Sequence, residues 1–138
     1  PPETPSNTNT EPTPGNSETP KTPDRSCIDW DVARGNTDDD DALLREVVEM
    51  SRCELRDLIG TLKQSLEKGD SIETRRIAHT IKSVARTLGA CTLQDVAFFC
   101  EQKAGDQDMD AVSKRLAELH QEVDLVLDQL SEFSAVSN

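Results

Sequence analysis

Between Asp70 and Leu88 the chain carries His79 together with Arg75, Arg76, Lys82 and Arg86, set against only Asp70 and Glu73. A neutral imidazole is a nucleophile, and a phosphoryl group on its outer nitrogen would bring negative charge beside Lys82, one helical turn away. No second acid, base, cysteine or metal ligand accompanies His79 in a recognisable motif, so the residues do not describe a self-contained hydrolase. They describe a nucleophile with its counter-charges. An exposed histidine by itself is an ordinary surface residue; the cationic company makes this one a candidate.

Positioning these groups requires a helix. At 100° per residue from Ile77, the residues Ile81, Val84 and Leu88 return to within about 40°, which predicts a core-facing stripe. His79 then falls at about 200°, in the middle of the polar face, with Arg75, Lys82, Ser83 and Arg86 on its side.

The other elements read from the same periodicity. Met109, Val112, Leu116, Leu119, Val123, Val126, Leu130 and Phe133 recur at alternating spacings of three and four, which predicts a long final helix with a narrow apolar seam. A second long helix is expected from Asp38 to Lys68, with Leu44, Val48, Leu55, Ile59, Leu62 and Leu66 along one side and the run Asp38 to Asp41 capping its start. A further helix is expected from Thr92 to Ala104, with turns at Gly69, Gly89 and Gly105, and a short leading helix from Asp29 to Arg34 carrying Trp30. Short connections between amphipathic helices force antiparallel neighbours, so the fold class is all-α: an antiparallel up-down-up-down four-helix bundle with a short extra N-terminal helix. Neither the Asp38 to Asp41 run nor Asp106, Asp108 and Asp110 has the glycine and glutamate of a calcium loop, and both are rejected as metal sites.

Composition bounds the partners. The chain has 138 residues, with 15 Lys+Arg against 27 Asp+Glu and a net charge of −12. That balance argues against nucleic acid or an anionic membrane surface as a partner. No apolar run approaches the roughly 18–20 residues needed to cross a bilayer, and the N-terminus lacks the apolar core of a signal peptide. All seven prolines lie from Pro1 to Pro23, and residues 1–26 hold no Ala, Val, Ile, Leu, Met, Phe, Trp, Tyr or Cys. This segment reads as a disordered Pro/Thr/Ser-rich linker, followed by one domain over residues 27–138. Cys27, Cys53, Cys91 and Cys100 form no CxxC pair and no zinc-type cluster with histidine, so reduced, mostly buried thiols and a cytoplasmic setting are expected.

The histidine helix resembles the signature of histidine-containing phosphotransfer (HPt) domains of two-component phosphorelays. There an exposed histidine is followed three residues on by lysine, commonly with glycine next, and a further glycine closes the helix. Here the stretch stands as Ala78-His79-Thr80-Ile81-Lys82-Ser83, continuing to Thr87-Leu88-Gly89-Ala90. The similarity extends to Ile28-Asp29-Trp30, to Leu43 through Val48 and to Leu66 through Asp70, and so covers about Ile28 to Phe133. Ser83 departs from the usual glycine, on the His79 face, where it would crowd or hydrogen-bond an incoming phosphoryl group.

The resemblance implies that His79 takes a phosphoryl group from the aspartyl phosphate of one response-regulator receiver domain and passes it to another. It implies that Lys82 stabilises the phosphoryl oxygens, that Arg75, Ser83 and Arg86 help docking, and that Gly89 is structural. No cofactor or metal is expected on this chain, because in the family Mg²⁺ sits on the receiver. The partners implied are receiver domains and a sensor histidine kinase, with the Pro/Thr linker suiting a hybrid kinase, and the domain is expected to be a monomer. It would be a phosphotransfer intermediate rather than a self-contained enzyme. The alternatives are a non-catalytic helical adaptor that binds a receiver, and the phosphoacceptor domain of a chemotaxis-type kinase. His120, beside the final seam, reads as structural or partly exposed. Phe98 and Phe99 cannot share one face, and a core role is expected for at least one.

Overall fold

A computed structural model describes residues 28–137, so the linker expected over residues 1–26 lies outside the described residues. The described chain is helical throughout: α1 (Trp30–Gly35), α2 (Asp41–Lys68), α3 (Ser71–Leu88), α4 (Cys91–Gly105) and α5 (Met109–Ser137). Each of α2 to α5 packs on the next and α2 closes the ring against α5, with α3 and α4 forming the most extensive pair. This is the expected four-helix bundle with its short leading helix.

Aspartates start most of these helices. Asp29, Asp40 and Asp70 are N-caps whose carboxylates accept from free backbone amides of the first turn, and Asp108 Oδ1 accepts from Ala111 N–H at 3.2 Å before α5. The expected start of the second helix at Asp38 is corrected to Asp41. Asp38 and Asp39 sit at left-handed φ of 54° and 58°, outside the helix. The cause is Thr37, only 2% exposed, whose hydroxyl bonds back to the carbonyls of Ala33 and Arg34 and turns the chain there.

The core stripe of α3 is Thr74, Ile77, Ala78, Ile81, Ala85 and Leu88, while Val84 stays half-buried at the α2 edge. The two small alanines let α4 approach closely. On α4 the buried stripe is Leu93, Val96, Ala97, Cys100 and Ala104. This corrects the expectation for the phenylalanines: Phe98 is 45% exposed and Phe99 is half-buried beneath Arg115, so neither belongs to the core. They flank the stripe, one on each side, 100° apart. The thiols are corrected as well: Cys27 lies outside the described residues, and among those described Cys53 and Cys91 are exposed while only Cys100 is buried. On α5, Val112, Leu119, Val123, Val126 and Leu130 are fully buried, and His120 is half-buried, 3.7 Å from Asp124.

The end of α3 is anchored by α1. Gly89 caps α3 at φ 70°, and Asp29 N–H donates to its carbonyl at 3.1 Å. Asn36 Nδ2 donates to Thr87 O at 2.9 Å, and Trp30 stacks on Phe133 of α5 with ring centroids 4.8 Å apart. A Cβ on Gly89 would stand 2.8 Å from Asp29 Cβ, Asp29 O and Val32 Cβ, so only glycine permits this approach.

Candidate functional site

His79 lies mid-way along α3, its side chain 56% exposed, on the face opposite the core stripe. Its Nδ1 is 2.8 Å from Glu101 Oε2 on α4. Lys82 Nζ is 2.8 Å from Glu101 Oε1, and these two side chains are only 17% and 15% exposed. Burial raises the Glu101 carboxyl, but hydrogen bonds from Lys82 and His79, with their charges, outweigh it and hold the group below its ordinary value. The ionised carboxylate can only accept, so Nδ1 carries the imidazole proton and Nε2 is left as the lone-pair nitrogen on the outer edge.

Lys82 also lies over the Phe98 ring, 5.0 Å from its centroid. Cys100, next to Glu101 in sequence, points into the core and is pushed up by burial to about 11, an inert thiol.

An open groove of about 500 Å³ runs between α3 and α4, lined by Ile72, Arg75, Arg76, His79, Thr80, Glu101 and Gly105 among others. Arg75 lies along Gly105 with no carboxylate partner among the described residues, whereas Arg76 is held by two hydrogen bonds to Glu73. Ile72, 83% exposed, gives the groove an apolar lip. Ser83 does not line this groove; it borders a separate depression on the α2 side with Val47, Met50 and Thr87. Arg86 is exposed two turns beyond His79 on the same helix.

Of the residues singled out from sequence, His79 and Arg75 thus line one groove, Lys82 joins the site through Glu101, and Ser83 and Arg86 stand outside it. Glu101 was missed. The signal was present: in a hairpin of two helices turning at Gly89-Ala90, His79 and Glu101 are equally far, eleven residues, from Ala90 and so stand at one height.

The Hpt domain family model matches residues 46–132. Among solved structures, the chain is similar to histidine-containing phosphotransfer protein B (HptB) from Pseudomonas aeruginosa PAO1, with TM-score 0.74 and 15% identity over 80% of this chain and 96% of that one. It is also similar to the HPT domain of an Hpt sensor hybrid histidine kinase from Shewanella, with TM-score 0.71 and 16% identity over 79% of this chain and 94% of that one. At these identities the likeness is one of fold. No curated protein matches the chain. No helix among the described residues is long and apolar enough to cross a membrane.

Proposed function

The chain belongs to the Hpt domain family and acts in phosphorelay phosphotransfer, and from that premise we propose that His79 is the residue that carries the phosphoryl group. The observation that carries this reading is the hydrogen bond from His79 Nδ1 to Glu101, which leaves Nε2 free on an exposed ring. In the forward step the Nε2 lone pair attacks the phosphorus of a receiver's aspartyl phosphate; the N–P bond forms as the P–O bond to the aspartate breaks, and the carboxylate leaves. Positive charge develops on the imidazole, and Glu101 stabilises it through the Nδ1 proton, which stays in place. The reverse step delivers the phosphoryl group to an aspartate of another receiver.

Transfer of this kind depends on alignment and on neutralising the phosphoryl oxygens. Lys82 supplies that charge, already desolvated beside Glu101. Arg75, without a carboxylate partner among the described residues, offers its guanidinium at the groove for the acidic pocket of a receiver, while Ser83 and Arg86 extend the contact along α3. Mg²⁺ belongs to the receiver partner. The domain works as a monomeric carrier between receiver domains and a sensor histidine kinase.

Incubation with a phosphorylated receiver is expected to give an acid-labile, base-stable phosphoprotein, and His79→Gln to abolish it. Label that persists in the variant overturns the assignment and favours the adaptor reading, in which the helix only docks.

A further inference from the structure

Lys82 shares a helix face with the open His79, yet only 17% of its side chain is exposed. Two neighbours on α4 account for this: the Glu101 carboxylate at 2.8 Å and the Phe98 ring, whose centroid is 5.0 Å from Nζ. Phe98 and Glu101 are three residues apart, so a single turn of α4 presents ring and carboxylate on one side. Phe98 is 45% exposed and contributes nothing to the α4 core stripe. An aromatic ring left nearly half in water with a cation over its face has a use other than packing.

We propose that Phe98 is a positioning residue for phosphotransfer, its ring face and the Glu101 carboxylate together holding the Lys82 ammonium beside His79, where it meets the phosphoryl oxygens. The inference rests on the reading of His79 as the phosphoryl carrier. Glu101 already divides its two oxygens between His79 and Lys82. An ammonium has three N–H donors, and a ring attracts it through the quadrupole without consuming any of them. The ion pair with Glu101 and the ring together hold the ammonium while its N–H donors stay available to the phosphoryl group. Without the ring, Glu101 alone holds Lys82, the four-carbon stem swings into water more often, and the cation must then be collected again in the transition state.

Phosphoramidate tests this without a docking partner: its N–P bond breaks with loss of ammonia as the bond from Nε2 to phosphorus forms. Phe98→Leu is expected to slow His79 labelling by about two- to fivefold, the range of an exposed cation–π contact. Phe98→Tyr, which keeps the ring face, restores the rate. In a Lys82→Met background the Phe98→Leu effect disappears. The Lys82 Hε proton resonances, shifted upfield by the ring, move to ordinary lysine positions in Phe98→Leu while the melting temperature stays put. Labelled His79 with an undiminished rate in Phe98→Leu, slowing that persists beside Lys82→Met, or Hε resonances that are unshifted in the parent protein each overturn the role of Phe98 alone. Failure of His79 to take label from phosphoramidate and from phosphorylated receivers alike overturns the carrier reading, and this inference with it.

Discussion

Glu101 on α4 binds His79 on α3 through a 2.8 Å contact to Nδ1, and the same carboxylate lies 2.8 Å from Lys82 Nζ. One acid thereby orients the nucleophile and holds the cation that will meet the phosphate. The arrangement follows the logic of a base oriented by a buried carboxylate, with the imidazole proton fixed on the inner nitrogen. Three residues from two helices become one chemical unit through a single side chain.

The first consequence is a tautomer. Above the pH at which the ring is neutral, ¹⁵N spectra of His79 are expected to show a protonated Nδ1 and an unprotonated Nε2, and Glu101→Ala to shift the population toward the Nε2–H form that free imidazoles favour. A neutral ring protonated at Nε2 in the parent protein contradicts the site geometry.

Acid stability follows from the same carboxylate. The folded-state value of Glu101 lies below its ordinary 4.5, so the ionised group contributes stability above that pH, and the contribution is lost as pH falls through the folded value. Glu101→Gln has no proton to take up. Urea midpoints measured at about pH 5 and pH 3 should therefore fall less in the variant than in the parent chain. Equal losses in both would assign the acid sensitivity to other carboxylates.

Gly89→Ala should cost about 2–4 kcal/mol, because a Cβ is added both to a left-handed residue and against the α1 backbone. For a domain of this size that lowers the melting temperature by roughly 10 °C. The same change at Gly69, also at positive φ (69°) but with open space around its Cβ position, carries the conformational cost alone and is expected to be clearly milder.

The buried pair Ser65 and Thr74 joins α2 to α3 at 2.7 Å, with Ser65 Oγ donating onward to Leu62 O at 2.8 Å. Thr74 is therefore the donor within the pair. Ser65→Ala strands the Thr74 hydroxyl and should cost about 1–3 kcal/mol; Thr74→Val leaves Ser65 still donating and should cost less. The double variant is expected to recover part of the Ser65→Ala loss. Additive losses in denaturant titrations would show that the two hydroxyls do not depend on each other.

Much of this protein was legible in one dimension. The three-and-four spacing of apolar residues, the aspartates ahead of α1, α2, α3 and α5 and the glycines at 69 and 89 define the helices, because hydrophobic periodicity and capping are local. Exposure of His79 follows from the same periodicity. Helix boundaries shifted where a side chain acted across a turn, as Thr37 does in ending α1 and delaying α2 to Asp41.

What only the tertiary structure decided is which helix faces the histidine and what that face brings. Sequence placed Lys82 one turn from His79 as a counter-charge for the phosphoryl group; packing of α4 against α3 holds it between Glu101 and Phe98. The same packing put Arg75 in the His79 groove and left Ser83 on the α2 side. Local propensity fixes how residues are arranged around one helix axis, but the contacts between helices depend on how each is rotated against its neighbour. That rotation is set by where small residues such as Ala78, Ala85 and Ala97 let two backbones close together.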